Sequence, residues 1–380
     1  MVRLNPVLGQ IGSYAIATIQ NRARRLREDG HPLVDFSIGD PREPTPSFIP
    51  KALKEAVPEI SQYPTIMGLP ALRQAIAGYV SRRFGVQVDP ETEVLPTTGS
   101  KEAIFSTPLA FVDREAAEGV IWATPGYPIY ERGARLAGAV PFPITLPENF
   151  RFRASLISAP VWQSARIVWL NSPHNPAGVV TPRSDLARFR DMAHRYEVLL
   201  CSDECYVDLY DHDPPISLLE EGGTEGALVY LSLSKRSGMT GYRSGAVVGD
   251  ARAIAALKSL RTGTGTAPPE FTQAAAIAAW KDDRHVEERR LLFGRKRAII
   301  SRTMESLGYP TVGSEAGLYI WLKVGDDLAM TERLLEHGVV VSPGRLFGPG
   351  GEGYIRLALV PGLEECKQAA EVLKECLGGV

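Results

Sequence analysis

The stretch Leu231-Ser-Leu-Ser-Lys-Arg-Ser-Gly-Met-Thr-Gly-Tyr-Arg-Ser-Gly245 concentrates groups able to do covalent chemistry. Lys235 sits among small, hydroxylated and glycine residues, directly after the apolar run Ala227-Leu-Val-Tyr-Leu231. That run reads as a buried strand, so the lysine is expected in a tight polar loop at a strand end, not on a solvated helix face. Ser232 and Ser234 supply hydroxyls, and Arg243 supplies a guanidinium among glycines that allow a ligand close to the backbone. Hydroxyls and a guanidinium make an anion clamp, and a phosphate is the natural guest. Beside bound cations and partly shielded from water, a lysine amine has its pKa lowered, as a Schiff-base lysine requires. The plain alternative is a surface lysine in a turn.

Other strand ends carry other functional groups. Gly99-Ser100-Lys101 opens a helix, where free N–H groups and the helix dipole suit a phosphate, or where small residues simply form a cap. Tyr127 follows Pro125-Gly126 in a rigid turn; its ring could stack on a flat cofactor or pack in the interior. Asn175, between His174 and Pro176, could donate to a phenolate oxygen or cap the next helix. Asp203 ends the apolar strand Val198–Ser202, where an unpartnered carboxylate would cost several kcal/mol. It therefore needs a partner: a protonated pyridine nitrogen, with Tyr206 reaching the same ring, or else an arginine or backbone amides. Arg356, inside the apolar run Tyr354-Ile-Arg-Leu-Ala-Leu359, should pair with a carboxylate of the protein or of a substrate.

Alternating strand and helix text from about residue 94 to 260 implies parallel βαβ units and an α/β sheet. In such sheets ligands bind outside the carboxyl ends of the strands, which is where these groups fall. Residues 12–29 read as an amphipathic helix carrying Tyr14, Ile16, Ile19 and Leu26. Leu33–Ile38 reads as a strand, followed by a proline-rich crossing, Pro44-Thr-Pro46. Strands at 318–322, 338–341 and 354–359 with a final helix at 363–376 suggest a smaller α+β domain. The expected division is a large domain over 45–265, and a small one built from 1–44 and 266–380. A net charge of −2 and the lack of a long basic run argue against a nucleic-acid partner. Four cysteines make no disulfide framework, and no Cys/His spacing matches a metal site. With no signal-peptide pattern and no apolar run of 18 residues, a cytoplasmic protein without a membrane segment is expected.

Taken together, the motifs resemble the class I/II aminotransferases of pyridoxal-phosphate fold type I. They stand in that family's order: Ile38-Gly39-Asp40-Pro41, Tyr63, Gly68-Leu-Pro70, Gly99-Ser-Lys101, Pro125-x-Tyr127-Pro-x-Tyr130, Asn171-x-Pro-x-Asn-Pro-x-Gly178, Asp203-Glu-x-Tyr206, Ser232-x-Ser-Lys235, Arg243 and Arg356. His174 and Ala177 replace the commoner asparagine and threonine of one loop, with no loss of a catalytic group.

The resemblance implies that Lys235 bonds pyridoxal 5′-phosphate covalently and shuttles a proton, while Asp203 keeps the ring nitrogen protonated. Asn175 and Tyr206 would bond the phenolic oxygen, and Tyr127 would stack on the ring. Gly99, Ser100, Lys101, Ser232, Ser234 and Arg243 would hold the phosphate, joined by Tyr63 from the other subunit of a homodimer. Arg356 would bind the substrate carboxylate, assisted by the Gly39 backbone and Asn175. The runs Ser37-Ile-Gly-Asp-Pro-Arg-Glu-Pro-Thr-Pro46 and Ser232-Leu-Ser-Lys-Arg-Ser237 are similar to bacterial N-succinyldiaminopimelate aminotransferases of lysine biosynthesis, with 2-oxoglutarate as acceptor and Arg42 a candidate for the distal acid. Aspartate, aromatic or broad specificity is the alternative. A β-lyase on the same cofactor, which half-reaction products would separate, and a non-catalytic sensor fit less well; a nucleotide-binding protein is disfavoured because no Gly-x-Gly-x-x-Gly or Walker loop follows a strand.

Overall fold

The computed structural model describes residues 2–10 and 16–378. Its largest sheet has seven strands in the order Val94–Thr97, Gly245–Gly249, Ala227–Ser232, Leu199–Asp203, Ala165–Asn171, Gly119–Thr124, Val140–Thr145. Five neighbours from Ala227–Ser232 outward run parallel, and Gly245–Gly249 lies antiparallel to both of its partners. The expected α/β sheet is present, with this one reversed strand.

Helices cover both faces, so the central strands are buried on both sides and read as continuous apolar text. All six residues of Ala227–Ser232 and all five of Gly245–Gly249 are buried. On one face Trp162, Phe189, Leu200, Val229 and Trp280 form the core; on the other, Trp122, Tyr130, Trp169 and Tyr230 do. Val140–Thr145 escaped the sequence reading because Pro141 and Pro143 interrupt it. It is an edge strand, the one position where lost N–H donors are tolerated.

Helix ends follow local chemistry. Pro70 begins Pro70–Phe84, and Gly85, with φ of 71°, closes it in the left-handed region. Asp250 caps Ala251–Thr264 by accepting from the Arg252 and Ala253 amides. That helix runs four residues past the expected end at 260 and takes up part of the glycine-threonine stretch.

A second core surrounds the antiparallel strands Ser342–Pro343, Tyr354–Ala358 and Tyr319–Lys323, packed by the helices Arg284–Ser306 and Leu363–Leu377. A further helix, Asp327–Glu336, was not foreseen. Val34–Asp35 pairs in parallel with Val339–Val340, so the N-terminal segment joins this unit, although only two of its six expected strand residues form a ladder. The N-terminal helix is described from Ile16 to Glu28; Tyr14 of the expected face lies outside the described residues. No helix of the described residues is long and apolar enough to cross a membrane.

Candidate active site

The sheet register brings the functional strand ends into one row. Asn171 stands opposite Asp203, Asp203 opposite Tyr230, Ser232 opposite Gly245, and Gly245 opposite Thr97. The parallel strands thus deliver Asn171, Asp203 and Ser232 to one end of the sheet. A cavity of about 1110 Å³ opens there. Its wall includes Gly39, Ser100, Lys101, Tyr127, Asn175, Asp203, Tyr206, Ser232, Ser234, Lys235, Arg243 and Arg356. These positions, spread over more than 300 residues of sequence, were singled out from spacing and resemblance, and folding collects them around one space.

Lys235 lies on a single helical turn, Leu233–Arg236, where a loop was expected. Ser232 caps that turn: its Oγ accepts from the Ser234 amide at 3.2 Å. The Lys235 Nζ donates to the Gly39 carbonyl. Burial pulls the amine pKa from 10.5 down to about 8; Asp40 and Cys205 oppose that shift, and Arg243 and Arg356 reinforce it. Gly39 tolerates no side chain, since a Cβ there would stand 2.5 Å from the Tyr319 hydroxyl.

Asp203 is 3% exposed and is bonded by neutral groups. The Tyr130 hydroxyl donates to Oδ2 at 2.8 Å and the Cys205 amide donates to Oδ1 at 3.2 Å. Desolvation raises its pKa above the ordinary carboxylate value, and hydrogen bonds from the Cys205 thiol, the Tyr130 hydroxyl and the Cys205 amide work against that. Among the described residues no lysine, arginine or histidine forms an ion pair with it. The arginine alternative is therefore not realised, the backbone-amide alternative is met in part by the Cys205 amide, and a cationic guest would favour the ionised carboxylate.

The Ser100–Phe111 helix begins at the cavity, with Gly99 before it at a φ of 83°. A Cβ on Gly99 would lie 2.5 Å from Arg243 Nη2, so the guanidinium rests directly over this turn. Arg243 has a positive φ of 51°, and its Nη1 donates to the Thr240 carbonyl at 2.8 Å. Helix N-terminus, serine hydroxyls and guanidinium converge as an anion cup.

Arg356 is buried, and no protein carboxylate pairs with it among the described residues. Its Nη1 donates to Asn175 Oδ1 at 2.9 Å and its Nη2 to the Ser37 carbonyl at 2.7 Å, while Nε has no partner. The guanidinium lies between the rings of Tyr319, at 4.3 Å, and Phe347, at 4.5 Å. A buried guanidinium held only by neutral acceptors is prepared for an anion. Tyr206 Oη and Tyr319 Oη stand 3.0 Å apart above the same space.

Tyr63, expected to serve a neighbouring subunit, is 101% exposed and does not line the cavity of its own chain. Arg42 pairs with Glu365 at 3.2 Å on the surface and does not reach the cavity. Tyr130 and Tyr319 received no role from the sequence; each is a buried tyrosine beside a named site residue, which composition cannot distinguish from core. No cluster of metal-ligating side chains occurs among the described residues.

Comparison with known proteins accounts for this arrangement. The family profile described as aminotransferase class I and II matches residues 31–373. The LL-diaminopimelate aminotransferase of Desulforudis audaxviator is 35% identical over 97% of this chain and 96% of its own, and that of Aquifex aeolicus is 35% identical over 95% and 96%. An aminotransferase crystal structure from Neisseria meningitidis superposes with a TM-score of 0.91 at 34% identity, covering 98% of this chain and 100% of the other. A probable N-succinyldiaminopimelate aminotransferase from Thermus thermophilus gives 0.89 at 30% identity, covering 96% and 100%. The chain belongs to the class I and II aminotransferases, which are pyridoxal-phosphate-dependent enzymes.

Proposed function

We propose that this aminotransferase exchanges an amino group between a 2,6-diaminopimelate-type amino acid and 2-oxoglutarate, with the free LL-diamino diacid as the donor. The names of relatives 35% identical over nearly the full chain support this reading. The N-succinyl donor expected from the runs Ser37–Pro46 and Ser232–Ser237 has the Thermus neighbour, at 30% identity, as its support among the comparisons.

The residues present fit the cofactor. The anion cup of Ser100, Lys101, Ser232, Ser234 and Arg243, with the Gly99 turn, suits a phosphate. The buried, cation-free Asp203 suits a protonated ring nitrogen, and Tyr127 offers a ring face in the same wall. Tyr206 and Asn175, in the same wall, would bond a phenolic oxygen. Bound pyridoxal phosphate supplies an aldehyde that condenses with amines and a pyridinium ring that draws electrons from the substrate α-carbon.

The chain's own groups do the rest. Lys235 Nζ, with a pKa near 8, can accept a proton and return it at neutral pH. Asp203 would carry its negative charge against the protonated ring nitrogen, where water cannot screen it. Arg356, with Asn175 and the Gly39 backbone beside it, binds and orients the donor carboxylate. Lys235 lines the same cavity, so a donor held there would offer its α-hydrogen to the lysine. Tyr63, exposed on its own chain, serves the phosphate of a second subunit in a homodimer.

The single observation that carries the reading is the joining of Lys235, Asp203 and Arg356 around one cavity. Glutamate formation from 2-oxoglutarate is followed with LL-2,6-diaminopimelate, its N-succinyl derivative, aspartate and phenylalanine as donors. Turnover with the free diamino diacid supports the reading; turnover with aspartate or phenylalanine alone removes it.

A further inference from the structure

One part of the cavity wall has no task in this scheme. The helix Ile129–Ala137 buries Ile129, Tyr130, Ala134 and Ala137 in the core and turns Glu131, Arg132 and Arg135 toward the cavity. Glu131 and Arg135, at i and i+4, share one helical face. Glu131 Oε1 accepts from Arg135 Nε at 2.7 Å, and the two side chains are 40% and 30% exposed. An exposed pair of this kind contributes little to stability, which leaves its place in the wall to be explained.

Glu131 and Arg135 line the same cavity as Lys235, Asp203 and Arg356, and Tyr127 precedes their helix by two residues. The two α-carbons of a 2,6-diamino diacid are separated by four carbon–carbon bonds, so such a donor brings a second amino acid head to be received within that cavity. Its charge matches the pair. A free amino acid head is a zwitterion, and an acid beside a guanidinium is its complement.

We propose that the Glu131–Arg135 pair is the subsite for the distal end of the donor, with the distal ammonium against Glu131 and the distal carboxylate against Arg135. This rests on the substrate class proposed above. Acylating the distal amine removes the cation and leaves Glu131 facing an amide. Such a mismatch discriminates against an N-acyl donor without any steric clash.

The test compares the free and N-succinyl diamino diacids in half-reactions of the holoenzyme, followed by cofactor absorbance. Glutamate serves as a control for the cofactor and the fold. Wild type should favour the free donor at least tenfold in kcat/KM, and Glu131→Gln should bring that ratio near one while glutamate still converts the cofactor. In a Lys235→Ala background, which cannot turn over, calorimetry should show E131Q weakening the free donor at least tenfold. The thermal midpoint of E131Q should stay at the wild-type value, which a purely structural role of the pair would lower. An unchanged ratio and affinity in E131Q, or a lost preference accompanied by lost stability and lost conversion by glutamate, overturns the subsite. Conversion by glutamate with no response to either diamino diacid overturns the substrate class instead.

Discussion

Arg356 donates to Asn175 Oδ1 at 2.9 Å across 181 residues of sequence, linking a strand of the antiparallel unit to a loop of the large sheet. Both groups face the cavity, so the contact that fixes the carboxylate-binding guanidinium also fixes the amide beside the cofactor ring. Replacing Arg356 by Gln removes the charge and leaves the amide. We expect kcat/KM to fall on the order of 10²-fold for every amino donor and oxo acid, because a truncated buried charge contact costs several kcal/mol. The cofactor spectrum should stay as in wild type; steady-state kinetics with two donors and two acceptors checks this.

Gly99→Ala tests the anion cup. The position combines a φ of 83° with a Cβ site 2.5 Å from Arg243 Nη2, so the guanidinium has to move. Affinity of the apo-protein for pyridoxal phosphate should fall at least tenfold, about 1.4 kcal/mol. Spectral titration measures it, and wild-type affinity would remove Arg243 from the phosphate site.

The pH dependence of cofactor capture tests the Lys235 environment. Only the neutral amine attacks an aldehyde, and burial brings its pKa from 10.5 to about 8. The capture rate of the apo-protein should therefore rise with pH and level off above about 8. Between about 8 and 10.5 the unfolded chain carries the proton that the folded lysine has lost. The unfolded state then binds more protons, and this group's contribution to apo-protein stability increases with pH across that window. A capture rate still climbing at pH 10 would contradict the assignment.

Much of this site was legible because its members sit at strand ends marked by glycine, proline and serine. Asp203 ends an apolar strand with a carboxylate that has to be satisfied, while Lys235 and Asn175 stand in polar stretches directly after strands. What stayed hidden depends on tertiary packing. Tyr130 reads as a helix-face aromatic, and only the fold sets its hydroxyl on Asp203. Arg42 reads as a loop cation near Gly39, yet its side chain turns outward to Glu365. Val140–Thr145 reads as a proline-broken loop because edge position, which excuses Pro141 and Pro143, is a property of the sheet. The turn at Lys235 is helical for one turn only, too short for periodicity to register.

Tyr63→Phe tests the shared site. The ring is fully exposed on its own chain, which suits a residue that serves another subunit. Loss of the hydroxyl should weaken cofactor retention several-fold on dialysis, with the oligomer unchanged by sedimentation. Retention equal to wild type would place Tyr63 outside the site.

The most direct measurement is the visible absorbance of the purified protein, before and after borohydride, in wild type and Lys235→Ala. The account predicts a band from bound pyridoxal phosphate that borohydride abolishes in wild type and that fails to form in its wild-type position in the variant. It further predicts that glutamate shifts the wild-type band to that of the amine form. A protein that remains colourless with added cofactor, or a variant with the wild-type band, would contradict the claim that Lys235 carries the chemistry.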